Sequence, residues 1–173
     1  SYLIWHGTHG VEIGLDENYA EKHIEKVKSY ISPIYRDWII PHFTNWSVIV
    51  EARQYQTWEM ENDLARPKLR RKSVEIACDL LWYRAAKNDP NSIYCQIHRK
   101  LETELDMLKE KYGQDSGLCR EGHSLGSQIM LDTCWESKHH TQGLITLGSP
   151  ITKYSGQFSD WGQAREIWTT ALP

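Results

Sequence analysis

Gly122-His123-Ser124-Leu125-Gly126 is the stretch from which the fold can be read. It sets a serine between two glycines, after the short apolar Leu118-Cys119 and before a helix-forming run from Leu125 with Ile129, Met130 and Cys134 inward. That order predicts a strand, a sharp turn and a helix. On such a turn the serine sits on a strained bend that lifts its hydroxyl clear of the sheet. Small residues flank it because a larger Cβ would collide across the bend.

Outward from the turn, strands and helices alternate. Leu144-Ile145-Thr146-Leu147 predicts a buried strand ended by Gly148-Ser149-Pro150, and Glu166-Ile167-Trp168-Thr169-Thr170 a last one. Upstream, Asn88-Asp89-Pro90-Asn91 is a loop and Ser92 a good N-cap. From there Ile93, Ile97, Leu101, Leu105, Leu108 and Tyr112 keep helical spacing to a stop at Gly113. At the start, Tyr2-Leu3-Ile4-Trp5 predicts a strand, followed by a loop at His6-Gly7-Thr8-His9-Gly10. Residues Asn18 to Tyr35 have helical spacing, with Pro33 as a kink or stop, and Trp46 to Val50 reads as a second strand. Gln54 to Lys72 is irregular and charged, and Ser73 to Tyr83 is more apolar. The expected class is α/β, a mostly parallel central sheet with helices on both faces.

At 173 residues the chain suits a single domain over 1–173, with a cap-like excursion around 54–90. Composition is that of a soluble globular protein, 40% hydrophobic and 25% charged with a formal net charge of -3. Such a balance gives no electrostatic case for nucleic acid or an anionic membrane, and Arg66 to Lys72 reads as a solvated basic run. No apolar run approaches the roughly 20 residues of a transmembrane segment. Cys78, Cys95, Cys119 and Cys134 form no C-x-x-C pair and read as buried thiols of a cytoplasmic protein. Two charges, Arg120 and Glu121, stand in the strand before the serine, where burial costs several kcal/mol unless they pair or reach solvent.

His6-Gly7 after a strand, then Gly122-His123-Ser124-Leu125-Gly126, then Leu147-Gly148-Ser149-Pro150, resemble in order and spacing the α/β-hydrolase superfamily, in particular its lipase- and esterase-like members. The resemblance covers most of the chain and implies a three-layer sandwich in a truncated or minimal form. It also implies acyl transfer from a small-molecule ester or acyl lipid, with no cofactor. Ser124 would be the nucleophile, and the N–H groups of Thr8 and Leu125 the oxyanion donors. His6, Gly7, Gly122 and Gly126 would support the motif, with His123 a packing neighbour. In the family the acid and the histidine follow the serine. Asp160 stands on the proper side of the sheet for the acid. The later histidines, His139 and His140, precede the Leu144 strand and read as a solvated helix end at the opposite edge. His9 is an alternative base outside the family's order.

His6-x-x-His9-x-x-Glu12 has metal-ligand residue types, but Gly7 and Gly10 disfavour the helix that would align them, so no metal is expected. Glu102 and Asp106 read as solvated charges on the strongest helix. Two functions stand: a serine hydrolase, or a catalytically silent α/β-hydrolase-like domain that binds a ligand or a partner. Oligomeric state is not specified by these patterns.

Overall fold

The computed structural model describes residues 2–9, 19–50, 83 and 87–148. The chain divides into two compact units, residues 1–45 with 102–173, and residues 46–101. Most of the excursion expected around 54–90, the strand expected at 166–170 and Asp160 lie outside the described residues.

Among the described residues the first unit holds four strands: β1 (Leu3–His9), β2 (Ile39–Asn45), β3 (Gly117–His123) and β4 (Gly143–Leu147). They form one sheet in the order β2-β1-β3-β4, every pairing parallel. The expected α/β class holds at this level. Two local expectations do not. β1 continues through His6, Gly7, Thr8 and His9 instead of breaking into a loop, because β2 pairs with it along that length and β3 as far as Thr8. The second strand lies at 39–45 and not at 46–50, and residues 47–50 are helical. Val48, Ile49 and Val50 favour a strand only weakly, and such propensity yields to context. Pro41 disguised the true strand; it is tolerated because β2 is the last strand on that side of the described sheet, where a missing N–H costs no ladder bond.

Helices follow the expected positions with one division. α1 (Tyr19–Tyr30) and α2 (Pro33–Arg36) replace the single helix expected from Asn18 to Tyr35. Proline forces the preceding Ser32 into an extended backbone, ψ 134°, and then opens α2 at its first position. α3 (Ile93–Tyr112) begins where Ser92 Oγ accepts the Cys95 N–H at 3.2 Å and ends at Gly113, φ +104°. α4 (Leu125–Glu136) leaves the serine turn.

Strand side chains alternate between faces. Ile4 and Leu118 share one face and pack with Leu105 and Leu108 of α3 into an apolar core. Trp5 and Glu121 have the opposite parity, and there His23 of α1 lies 2.7 Å from Glu121. The two charges of β3 are therefore treated differently. Glu121 accepts the Trp5 indole N–H at 2.7 Å and pairs with His23. Arg120 is fully buried; its Nε donates to Thr141 Oγ1 at 2.8 Å while Nη1 and Nη2 have no hydrogen-bond partner among the described residues. Among the described residues no helix is long and apolar enough to cross a membrane.

In the second unit Trp46, Val50, Tyr83, Ile93, Tyr94, Ile97 and Leu101 are buried. The Tyr83 hydroxyl lies 2.9 Å from His98 Nε2, and the Tyr94 and His98 rings stack at 4.0 Å.

Candidate functional site

Ser124 is the one described non-glycine residue with a positive φ, at +53° with ψ −123°. An L-residue in that conformation stores roughly 1–3 kcal/mol and persists only where its surroundings enforce it. Here they do so from both ends. Ser124 N–H donates to Leu147 O at 2.8 Å, extending the β3–β4 ladder into the turn. Two residues into α4, Ser127 Oγ donates to Gly122 O at 2.8 Å, closing the bend from the helix side.

The glycines of the pentapeptide are needed for contact rather than for φ. A Cβ on Gly122 would run into the Gly126 carbonyl and come within 2.6 Å of Ser127 N. A Cβ on Gly126 would come within 2.8 Å of Thr8 O. Strand, helix and β1 thus converge on a spot that only hydrogen atoms fit. The Ser124 side chain is half-buried and makes no capping bond to the helix it precedes. Leu125 is the first helical residue, so its N–H belongs to the turn of donors that has no acceptor within the helix.

The other motif residues take definite places. Thr8 lies in β1 between Thr44 and Gly122, with its hydroxyl donating to Thr44 O at 3.2 Å. Gly7 is covered by the Phe43 ring, which a Cβ would strike. His123 ends β3 in register with Leu147, and its Nε2 sits against Gly148, φ +54°.

His6 is fully buried and joins residues that no sequence motif connects. Its register partner on β2 is His42, with ring centroids 5.6 Å apart. His6 Nε2 lies 3.0 Å from Thr44 Oγ1. The Thr44 hydroxyl donates to Glu104 Oε2 of α3, and His42 Nε2 lies 2.9 Å from the same oxygen. Burial, and then the positive charge of Arg120, hold the His6 imidazole down to about 3, so the ring is neutral near pH 7. His42, Thr44 and Glu104 carry no motif in the sequence. Their signal appears only when β2 is laid parallel to β1, which puts His42 and Thr44 on the face of His6 and Thr8.

The remaining histidine expectation changes too. His139 is not a solvated helix end; its Nε2 lies 2.8 Å from Asp106 Oδ1. Lys138 Nζ also donates to Asp106, and hydrogen bonds from the two hold its carboxyl below the usual carboxylate range. Asp106 is therefore a paired charge, and Glu102 Oε1 is buried without a hydrogen-bond partner among the described residues. No protein-family model matches the chain, and neither does any curated protein or solved structure.

Proposed function

We propose that this chain is a serine hydrolase of the α/β-hydrolase type, acting on a carboxylic ester or acyl lipid with Ser124 as nucleophile. The observation that carries the proposal is the strained Ser124 backbone, φ +53°, at a strand-to-helix turn closed by Gly122 and Gly126. Strain of this kind has a chemical use: it sets the hydroxyl on the outside of the bend, beside the unsatisfied N–H groups of a helix start. Layering supports the same proposal. His23 of α1 reaches Glu121 on one parity of the strands, and Leu105 of α3 reaches Ile4 and Leu118 on the other, as a three-layer sandwich requires.

In the proposed reaction Ser124 Oγ attacks the acyl carbonyl and the alcohol leaves. Water then attacks the acyl-enzyme to release the acid. Leu125 N–H, at the helix start, is the assigned oxyanion donor; Thr8, the other expected one, lies within β1 between Thr44 and Gly122 with its carbonyl against Gly126. Losing one such donor costs about 10²–10³ in rate. Asp160 is assigned as the acid from its place in the chain.

A second reading, a catalytically silent domain of the same fold, is favoured by one observation. His6 faces Thr44, His23 faces Glu121, His42 faces Glu104, His98 faces Tyr83 and His139 faces Asp106. Each of these five histidines has a side-chain partner other than Ser124. A fluorophosphonate probe separates the two. A hydrolase is labelled at Ser124, as located by peptide mass spectrometry, and Ser124→Ala loses the label. Folded wild type that stays unlabelled is the silent domain.

A further inference from the structure

Outside the serine turn, the described residues hold one cluster with the makings of a second site. The side chains of His6, His42 and Glu104 bring two imidazoles and one carboxylate together, with one ligand atom from each lying within 4.8 Å of the others. They come from three separate elements: His6 from β1, His42 from its register position on β2, and Glu104 from α3. We infer that His6, His42 and Glu104 form a binding site for a divalent transition-metal ion of the zinc type.

Chemistry of the donors comes first. Two nitrogen ligands and one carboxylate suit borderline cations such as zinc, which takes nitrogen at about 2.0–2.1 Å and carboxylate oxygen at about 2.0–2.2 Å. Ligands at those lengths around a tetrahedral ion stand roughly 3.4 Å from one another. The His42–Glu104 edge, at 2.9 Å, is already inside that span, and the three ligand atoms all lie within 4.8 Å of one another.

Outer support is present as well. Thr44 Oγ1 touches both Glu104 and His6, the kind of hydroxyl that fixes a ligating carboxylate. His6 Nδ1 is buried without a hydrogen-bond partner among the described residues, an arrangement that normally costs free energy and that an ion at the cluster gives a reason to keep. An entry path exists, because the His42 side chain is 34% exposed and Glu104 15%. Binding also needs a tautomer change at His42. Its proton moves to Nδ1 and the Nε2 lone pair turns to the ion in place of the hydrogen bond to Glu104. The ion would tie β1, β2 and α3 together, a structural cross-link independent of the chemistry at Ser124.

The test uses the whole chain, stripped with a chelator and titrated with zinc alone by calorimetry, with cobalt(II) absorption as a second readout. Wild type is expected to bind one equivalent and to give the intense visible bands of low-coordinate cobalt. His42→Ala and Glu104→Gln, both at partly exposed side chains, should weaken binding by at least about 100-fold, and Thr44→Val by about 10–100-fold. Circular dichroism of the stripped variants checks that they fold. Folded wild type that binds no zinc overturns the inference, and so does zinc bound with unchanged affinity by folded His42→Ala and Glu104→Gln. In those outcomes the cluster is a hydrogen-bonded network alone. Fluorophosphonate labelling of Ser124 is read separately, so either proposal can fail without the other.

Discussion

The serine turn and the His6 cluster both depend on β1, yet they are built in opposite ways. In the turn, five consecutive residues do most of the work. Gly122, Ser124 and Gly126 carry the close approach and the strain, and β1 supplies only the Thr8 backbone against which Gly126 packs. In the cluster, no two members are neighbours in sequence, and β1 supplies a side chain that means nothing until β2 and α3 are beside it. The difference concerns where the constraint lives. Backbone strain leaves a mark in local composition, because only small residues satisfy it. A polar network leaves none, because any chain segment can deliver a histidine or a glutamate.

The largest test breaks the turn through its packing. Gly122→Ala places a methyl group against backbone atoms that cannot swing aside, and is expected to cost about 3 kcal/mol or more in urea unfolding. Gly143→Ala is its control, because the added Cβ meets only Cys119 Sγ at 3.5 Å and stability should barely change. Equal losses at the two glycines would mean that crowding at the turn is not what Gly122 relieves.

Acid sharpens the comparison from the cluster's side. His6 is held near 3 when folded and returns to 6.5 when unfolded, so the unfolded chain binds the extra proton. The stabilisation is complete above pH 6.5 and is lost as pH falls toward 3, at roughly 1.4 kcal/mol per pH unit from this group. Chemical unfolding between pH 4 and 6, with a chelator present, should therefore show that slope. His6→Asn should flatten it by about one proton even if its overall stability is lower. An unchanged slope in the variant would place the titration elsewhere.

A smaller effect isolates the strain. Ser124→Gly accepts φ +53° without a Cβ and should raise stability by about 1 kcal/mol, whereas Ser124→Ala keeps the Cβ and should gain little. Matching stabilities for the two variants would show that the turn stores nothing at Ser124. The smallest change belongs to neither region. Asp106→Asn removes a partner of Lys138 and His139 at a half-exposed site, and its melting temperature should move by about a degree. A shift comparable to that of Gly122→Ala would make this pair part of the core.

Legibility follows the same division. The helix from Ile93 to Tyr112 was plain from its spacing because one face of it must be apolar, and Leu105 and Leu108 do face Ile4 and Leu118. β4 is plain because Leu144-Ile145-Thr146-Leu147 is a short, mostly apolar run ended by glycine, although its residues are only half-buried in the sheet. β2 was not, since Pro41, His42 and Asn45 are poor strand residues, and the more β-prone Trp46 to Val50 went elsewhere. The end of β1 was missed for a related reason. His6-Gly7-Thr8-His9 is loop-like by composition and becomes strand only through pairing, with β2 throughout and with β3 as far as Thr8. Gly7 there makes room for the Phe43 ring rather than a turn.

By itself the sequence determined the strand–serine–helix turn and the α/β alternation around it, because both rest on local sterics and on the period of apolar residues. Only the tertiary structure decided that Glu121 has partners in Trp5 and His23, and that Arg120 is buried with one hydrogen bond to Thr141. It alone brought His6 to His42 and Glu104. Those outcomes depend on which distant segments share a face of the sheet, and strand register, not composition, settles that.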